Sequence, residues 1–545
     1  MRYNYSMIFD LSIVIQAESE RDENFIQKKL NQALRQKYTG NEKAEFVFVK
    51  KSIDARHGQL KLCLRYKAYV GEKPAQAQKE FSWLKADGSK KVVVVGSGPA
   101  GLFAALKLLE RGVKPIIIER GKKAPERKRD IAAISVKGVV DADSNYCFGE
   151  GGAGTFSDGK LYTRSDKRGN IGEVLQTFVH FGADPKILTD AHPHIGTNKL
   201  PQIIQSMRQK ILDLGGEFHF ECRVVDFILE LATVRGVIAR TADGEKEFLA
   251  DAVLLATGHS ASDIYELLFK VSPQSLEAKT FAVGVRVEHP RELIDKIQYH
   301  GKRESAGLGA AEYRLTSQVD GRGVYSFCMC PGGFVVPSAT GPQEIVVNGM
   351  SAAERNSAWS NAAIVVETRP EDIEEIARQA GGGADFGLAN DPLAGLRFRS
   401  WLERETWRHG GSDGGDNPNA APAQRLADFL AGRQSQSLPR SSYTPGLASS
   451  RLDQWLPPFI SGRLKKAFQL FDQNMKGFVC QDALLIASET RTSTPVRILR
   501  DKATFECAGL PRLYPAGEGS GWSGGIVSSA MDGQACAQKI LEKIL

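Results

Sequence analysis

The 545-residue chain is long enough for two or three domains, and its 42% hydrophobic and 25% charged residues are typical of a globular protein. No apolar run approaches the ~18 residues that a membrane-spanning helix needs, and Asp10 interrupts the only stretch that resembles a signal-peptide core. The eight cysteines are scattered mostly through apolar or strand-like segments, which favours reduced thiols. We therefore expect a cytoplasmic protein that is neither secreted nor embedded in a membrane.

Most of the net charge of +7 lies at the N-terminus, where residues 1–85 contain 16 Lys+Arg and 10 Asp+Glu. Apolar periodicity there predicts a strand at 11–15, a helix around 26–34 and two more strands, the order of a small α+β, ferredoxin-like domain at residues 1–87. The last strand alternates apolar and mostly basic residues. We expect its basic face to be solvated, with a contact to a protein partner or to another domain, or RNA, as open alternatives. The basic residues concerned are Lys50, Lys51, Arg56, Lys61, Arg65 and Lys67.

After a polar linker at 71–89, residues 90–119 have the pattern of a dinucleotide-binding βαβ unit. Four valines at 92–95 predict a buried strand, and the G-x-G-x-x-G turn follows at 96–101. A helix to residue 110 and a strand at 116–118 lead to an acid at the position that binds ribose. The N–H groups at the start of the helix suit a pyrophosphate. The residues expected at the cofactor are Gly96, Gly98, Pro99, Ala100, Gly101, Glu119 and Arg120.

Two later segments separate FAD from NAD. An apolar strand ends in A-T-G at 256–258, and residues 513–526 contain a Gly-Glu pair followed by a glycine-rich helix start. With the first motif they resemble the three-part signature of the two-dinucleotide-binding-domain flavoproteins. The resemblance implies FAD, and it also implies that the final helix N-terminus stabilises charge on the reduced flavin. The FAD contacts it implies in these segments are Thr257, Gly258, Gly517, Glu518, Gly524, Gly525 and Ile526.

More narrowly, the chain resembles a family of uncharacterised bacterial FAD-dependent dehydrogenases through the segments at 148–161, 257–261, 284–290, 328–333 and 489–497. The resemblance implies an FAD-dependent oxidoreductase that transfers a hydride, but it gives no substrate. A second G-x-G-x-x-G is absent, as is the C-x-x-x-x-C redox pair of the glutathione-reductase type. NAD(P)H, a possible electron donor, would therefore dock on the flavin face.

Several residues outside the dinucleotide motifs are candidates for the site. The glycine-rich loop at 149–154 could line the flavin through Gly151, Gly152 and Thr155, or could be a plain turn. His259 follows the A-T-G strand and could approach the flavin or be structural. Arg286 and Glu288 share a strand face, where an ion pair is as plausible as a role in substrate binding. The remaining catalytic candidates, which could hold an anionic substrate or form a structural ion-pair network, are Glu489, Arg491 and Arg497.

The pattern Cys328-Met329-Cys330 places two thiols on one face of a strand, near the upper distance limit for a disulfide. No further ligands at matching spacing suggest a metal, and the pair His192 and His194 lacks acidic or thiol partners nearby. We expect structural thiols and no metal site.

The sequence thus predicts an α/β protein: a doubly wound, Rossmann-like FAD domain formed by residues 88–280 and 481–545, with an inserted mixed β-rich substrate domain at 281–480. We expect residues 380–450 to be rich in loops, with one short helix around 424–430. The predicted function is an FAD-dependent oxidoreductase acting on a small molecule. The alternatives are a flavin-dependent RNA-modifying enzyme that uses the basic N-terminal domain and a non-catalytic flavin-bearing sensor.

Overall fold

The structure, a computed structural model, describes residues 7–55, 59–74, 80–163, 169–303, 307–380, 385–411 and 417–545. The N-terminal part has the predicted βαββ order, and its central strand β3 is antiparallel to both neighbours. Leu30 and Leu34 of the helix are buried, as the periodicity predicts. Of the basic residues named above, Arg56 lies outside the described residues. The elements are β1 (Met7–Gln16), α1 (Glu23–Arg35), β2 (Ala44–Asp54) and β3 (Lys61–Val70).

This small domain is joined to the rest of the chain by backbone hydrogen bonds. Lys51 donates to Thr189 O at 3.2 Å and accepts from the N–H of Ala191 at 3.1 Å. The linker that follows is also packed, since Trp83 stacks on Phe181 with ring centroids 5.7 Å apart. Although the linker at 71–89 is polar in composition, its C-terminal part around Trp83 packs against the rest of the chain.

A five-stranded parallel sheet in the order β22-β10-β4-β5-β6 forms the predicted Rossmann-like domain. Successive valines of β4 point to opposite faces: Val92 and Val94 pack with the helices α2, α4, α5 and α13, whereas Val93 and Val95 pack with β7, β8 and α6. The elements up to residue 271 are β4 (Lys91–Val95), α2 (Pro99–Leu109), β5 (Lys114–Ile118), α3 (Ala124–Lys137), α4 (Ile171–His180), α5 (Leu200–Asp213), β6 (Glu217–His219), β7 (Arg223–Glu230), β8 (Thr233–Thr241), β9 (Gly244–Leu249), β10 (Ala252–Leu255) and α6 (Ser262–Val271).

The inserted part is built on a seven-stranded mixed sheet in the order β13-β14-β17-β12-β20-β18-β19. Its elements are β11 (Leu276–Ala278), β12 (Phe281–Pro290), α7 (Arg291–Tyr299), β13 (Thr316–Val319), β14 (Arg322–Cys330), β15 (Phe334–Pro337), β16 (Val347–Met350), β17 (Trp359–Thr368), α8 (Ile373–Gln379), α9 (Ala394–Arg408), β18 (Ala421–Arg425), α10 (Leu426–Ala431), β19 (Leu447–Ser449), α11 (Leu452–Trp455), α12 (Pro458–Asn474) and β20 (Leu484–Glu489). The chain then returns to the first domain through β21 (Val496–Ile498), β22 (Leu513–Pro515) and α13 (Ile526–Ile544).

Two expectations for the inserted part need correction. Strand β20 pairs with β12 and β18, so the inserted sheet continues past the predicted boundary at residue 480. The stretch at 380–450 also contains the 15-residue helix α9, in addition to α10 near the predicted short helix. Phe398 and Leu402 lie one turn apart on α9 and pack with the core of the inserted sheet, whereas Leu396 packs with the core beside the parallel sheet. The flanking glycine-rich segments dominate the local composition.

Candidate functional site

A cavity of about 270 Å³ lies at the carboxyl ends of the parallel strands. The residues that directly follow β4, β5, β10 and β22 all line it. This is the edge at which α/β sheets bind ligands, because the loops there diverge and leave a crevice. The predicted cofactor residues that line the cavity are Gly96, Gly98, Pro99, Ala100, Glu119, Arg120, Gly152, Thr257, Gly258, Gly517, Glu518, Gly525 and Ile526.

The glycine turn after β4 has the geometry of a pyrophosphate site. A Cβ atom on Gly96, whose φ is +102°, would lie 2.4 Å from Ala256 O, and one on Gly101 would lie 2.0 Å from Gly96 O. Gly101 therefore serves close helix packing and does not line the cavity. A Cβ on Gly98 would meet only Gly152 Cα, at 3.8 Å, so the backbone here is open to a ligand. Among the described residues, no side chain caps the N-terminus of α2, whose N–H groups can bind an anion.

Glu119 is buried and already accepts four hydrogen bonds. One oxygen accepts from the N–H of Ser97 at 3.0 Å and from its hydroxyl at 2.7 Å, and the other accepts from the N–H groups of Gly121 and Gly149 at 2.9 and 3.0 Å. A carboxylate offers about four lone-pair sites. Glu119 thus joins the glycine turn to the loop at 149–154, and ribose must replace one of these donors to bind it directly.

The glycine-rich loop is held by a residue that the sequence analysis missed. Arg127 of α3 is fully buried and donates to the carbonyl oxygens of Asn145, Tyr146, Gly149 and Glu150 at 2.7–3.2 Å. Burial lowers the pKa of Arg127 to about 10, so it stays charged at neutral pH. No sequence motif marks this arginine, because its partners are main-chain atoms.

Of the three loop residues that were expected to contact the flavin, one lines the cavity and two do not. Gly152 lines the cavity, whereas Gly151 and Thr155 lie behind it against Ile204 of α5. Thr155 donates its hydroxyl proton to Glu150 O at 2.7 Å and so closes the turn. Gly524 likewise does not line the cavity, although its neighbours in the final motif do.

Arg120 lines the nucleotide side of the cavity. Its guanidinium lies 4.1 Å above the ring of Phe148 and pairs with Asp143 and Asp263 at 2.7 and 3.1 Å. These contacts fix the side chain beside Glu119, where a nucleotide would pass.

His259 and Glu518 both line the cavity, and their side chains lie close to each other. His259 Nε2 lies 3.0 Å from Arg491 O, and since a carbonyl only accepts, Nε2 carries the proton. Nδ1 then presents its lone pair to Glu518 Oε1 at 3.7 Å. Burial, with the nearby guanidinium groups of Arg399 and Arg491, lowers the pKa of His259 to about 3. Burial raises the pKa of Glu518 to about 7, so near neutral pH this carboxyl titrates beside a neutral imidazole.

Arg491 is buried and lines the cavity. Its Nε and Nη2 bind both oxygens of Glu403 at 3.0 and 2.7 Å. Although burial opposes ionisation, Arg491 holds the pKa of Glu403 below its usual range. Among the described residues, the hydrogen-bond partner of Nη1 is the sulfur of Cys147, at 3.7 Å. Nη2 also lies 3.7 Å from Glu344 Oε2. Nη1 has no carboxylate partner among the described residues, so its remaining N–H can donate to a further acceptor.

Glu489 and Arg497 do not line the cavity, and we correct their assignment as catalytic residues. Glu489 is buried against Arg286 at 2.9 Å, so Arg286 forms the expected internal ion pair with Glu489 and not with Glu288. Arg497 pairs with Glu277 at 2.6 Å and lies over the ring of Trp522. Sequence proximity to Arg491 is misleading because the chain turns between 491 and 496 to form β21.

The further residues that line the cavity include Cys147, Lys160 and Cys328. Lys160 Nζ lies 3.9 and 3.8 Å from the sulfurs of Cys328 and Cys330 and 3.3 Å from Asp158 Oδ2. Cys328 has a left-handed φ of +45° at a break in the pairing of β14 with β17. The C-x-C spacing is the sequence feature that could have identified these cysteines. It was interpreted as part of a regular strand, which gives no reason to place them beside a cofactor.

These features fit FAD. The uncapped start of α2 and the open backbone at Gly98 suit a pyrophosphate, Glu119 and Arg120 lie where a nucleotide would bind, and the N-terminus of α13 faces the other part of the cavity. Models of FAD binding domains match residues 89–132 and 163–284, and a model described as "FAD-dependent protein, C-terminal domain-like" matches residues 280–492. Residues 7–69 match a domain of unknown function.

An uncharacterised protein of Clostridium beijerinckii is 40% identical over 456 residues, which cover 83% of this chain and 80% of the relative. The chain belongs to this family of FAD-dependent proteins. The family match and the FAD-binding domains make it an FAD-dependent oxidoreductase.

Among solved structures, a flavocytochrome c3 fumarate reductase is similar at a TM-score of 0.31 and 12% identity, covering 84% of this chain and 79% of that one. A quinol fumarate reductase from E. coli gives 0.33 and 13%, covering 83% and 70%. Scores this low support no conclusion about this chain. Within the described residues, no helix is long and apolar enough to cross a membrane, and no group of three potential metal ligands is found.

Proposed function

We propose that this oxidoreductase exchanges a hydride with a small anionic substrate bound at Arg491, with NADH or NADPH as electron donor. The observation that carries the proposal is Nη1 of Arg491, a cavity residue: among the described residues this nitrogen contacts a thiol but no carboxylate. A buried guanidinium whose other two nitrogens are fixed by Glu403 is preorganised to bind a carboxylate without moving. Flavin, when bound, supplies the two-electron chemistry.

The protein's own residues would orient the substrate and manage charge and protons. Arg491 holds the anion, while Thr492, which also lines the cavity, is fixed through its hydroxyl to Ala282 O at 2.7 Å. Burial raises the pKa of Glu518 to about 7, close to the pH at which proton transfer is most efficient, and Nδ1 of His259 lies 3.7 Å from its carboxyl oxygen. The N–H groups at the start of α13 would stabilise negative charge on the reduced ring.

The eight cysteines are all free thiols, which supports our further proposal of a cytoplasmic location.

The test compares Arg491→Met with Arg497→Met, a matched loss of arginine outside the cavity. Flavin-loaded protein is titrated with a panel of small mono- and dicarboxylates and then, without oxygen, with NADH and NADPH, while the flavin absorbance is followed. We expect carboxylates to perturb the wild-type spectrum and the Arg497→Met spectrum alike. Arg491→Met should lose this response and should reduce or reoxidise its flavin at least ~100-fold more slowly per folded molecule. An unchanged response in Arg491→Met contradicts the proposal.

A further inference from the structure

The two thiols of β14 face the cavity side of the inserted sheet. Cys328 lines the cavity, while Cys330 is buried directly behind it. The pairing of β14 with β17 shifts between Phe327 and Cys330, so the strand bulges where the cysteines lie. Both sulfurs lie within 3.9 Å of one nitrogen, Lys160 Nζ, and are therefore on the same side of the strand.

Lys160 ties these thiols to the rest of the site. Its Nζ also contacts Met329 O and Asp158, and Asp158 is shared with Arg355 at 3.0 Å. Arg355 also pairs with Glu312 at 2.6 Å. Because Lys160 Nζ lies within 3.9 Å of both sulfurs, its charge can stabilise a thiolate on either cysteine. Cys328 is near Glu518, whose pKa its charge helps to raise, and the N–H of Gly525 lowers that pKa by hydrogen bonding. Cys328 lines the same cavity as Gly525 and Ile526 at the N-terminal end of α13, the helix start that the family resemblance places at the flavin.

We infer that Cys328 and Cys330 form a redox-active pair that exchanges two electrons with the flavin. The inference rests on the proposed function for its flavin chemistry. In the reducing direction, the S–S bond would break as it takes two electrons and one proton from the anionic reduced flavin. Cys328 leaves as a thiolate beside Lys160, and Cys330 takes the proton. In the opposite direction, the dithiol would form the S–S bond and give the same electron pair and proton to the oxidised flavin.

The local charges favour this division of roles. A hydrogen bond from Cys330, together with Lys160 and Arg286, holds the pKa of Cys328 well below its usual range, against the effects of burial and Asp158. The same hydrogen bond and burial hold the pKa of Cys330 well above it. Glu489 and Glu518 are the other ionisable groups near Cys328, and burial raises the pKa of both carboxyls. A stabilised thiolate is the form that leaves from, or attacks, a disulfide.

Peptide mapping tests the pair directly. Cleavage after Arg322 and Arg355 yields the peptide 323–355, in which Cys328 and Cys330 are the only cysteines. Flavin-loaded wild-type protein is treated with a small organic disulfide, its remaining thiols are alkylated, and it is digested with trypsin. The peptide should stay unalkylated, with a mass about two hydrogens below that of its reduced form. A link to the peptide 138–160, which contains Cys147, or an unchanged mass would overturn the inference.

The number of electrons that the protein takes up tests whether the cysteine pair exchanges electrons with the flavin. In an anaerobic titration, the oxidised wild-type protein should take up four electrons per flavin, and Cys328→Ser and Cys330→Ser should take up two. Cys63→Ser, in the N-terminal domain, is the matched control and should keep four. In flavin-free protein, Cys328 should be alkylated faster than Cys330 at neutral pH.

The possible failures are distinguishable. A flavin-loaded wild type that stops at two electrons contradicts the dithiol and leaves the proposed function standing, whereas a protein without reducible flavin contradicts both. If the serine variants do not fold, the peptide mass and the electron count of the wild type decide.

Discussion

At the scale of single residues, the motif glycines and the acid after β5 were predictable, because their roles follow from backbone geometry that recurs wherever a strand turns into a phosphate-binding helix. Arg127 and Lys160 were not, since an arginine that binds four carbonyl groups and a lysine beside two sulfurs depend on segments distant in sequence. Glu489 and Arg497 show the converse error, in which closeness along the chain was taken for closeness in space.

Glu518 supports a prediction about pH. Burial raises its pKa to about 7 in the folded protein, above the ordinary 4.5, so its ionisation disfavours folding. The stability it contributes is fully present below pH 4.5 and is lost as the pH rises through about 7. In flavin-free protein, Glu518→Gln should therefore gain stability relative to wild type between pH 4.5 and 8, by at most roughly 3 kcal/mol. Chemical denaturation at several pH values measures this difference. A difference that does not vary with pH contradicts the assigned environment.

At the scale of elements, strands with alternating burial and the amphipathic helix α1 were predictable from periodicity alone. Helix α9 was missed because its apolar face is short and lies between glycine-rich stretches, and the bulge in β14 was missed because nothing in C-M-C distinguishes a bent strand from a regular one. The close packing of α2 against α13, the two helices whose N-termini face the cavity, also lacks a clear sequence signal.

That helix contact supports a prediction at the element scale. A Cβ on Gly533 of α13 would lie 2.1 Å from Ala100 O of α2, whereas a Cβ on Gly462 of α12 meets nothing within 4 Å. Gly462→Ala should stabilise the protein by about 0.5–1 kcal/mol through helix propensity. Gly533→Ala should instead destabilise it and weaken FAD binding, because the helices must separate. Chemical denaturation and flavin titration of both variants measure the stability and the affinity for FAD. A gain in stability for Gly533→Ala would refute the close contact.

At the scale of the whole molecule, the order of domains was predictable from composition and from the split FAD signature, but their contacts were not. The basic N-terminal domain was expected to be separate. In the structure, β2 exchanges backbone hydrogen bonds with residues 189–191, and His300 lies 2.8 Å from Ala55 O. Part of its charge is paired internally, as between Lys51 and Glu20 at 2.7 Å. A role in RNA binding stays a prediction.

The packing of this domain can be tested by deletion. All strands and helices of the parallel-sheet domain follow Lys90, so a chain lacking residues 1–79 should keep its FAD. It should melt at a lower temperature than the full chain, because apolar side chains that pack with the N-terminal domain become exposed. Flavin content and thermal melting measure the two effects. Loss of FAD would show that the small domain is required for the fold of the flavin site, and an unchanged melting temperature would show that its contacts contribute nothing.

The central claim is that FAD lies in the cavity at the carboxyl ends of the parallel strands, with its pyrophosphate against Gly98. The most direct measurement is the flavin content of Gly98→Val, compared with that of Gly462→Val, in which the added side chain meets open space on α12. Wild type and Gly462→Val should contain one FAD per chain. Gly98→Val should fold, as judged by circular dichroism, but contain none, because its branched side chain fills the place of the phosphates. A fully loaded Gly98→Val protein would contradict the account.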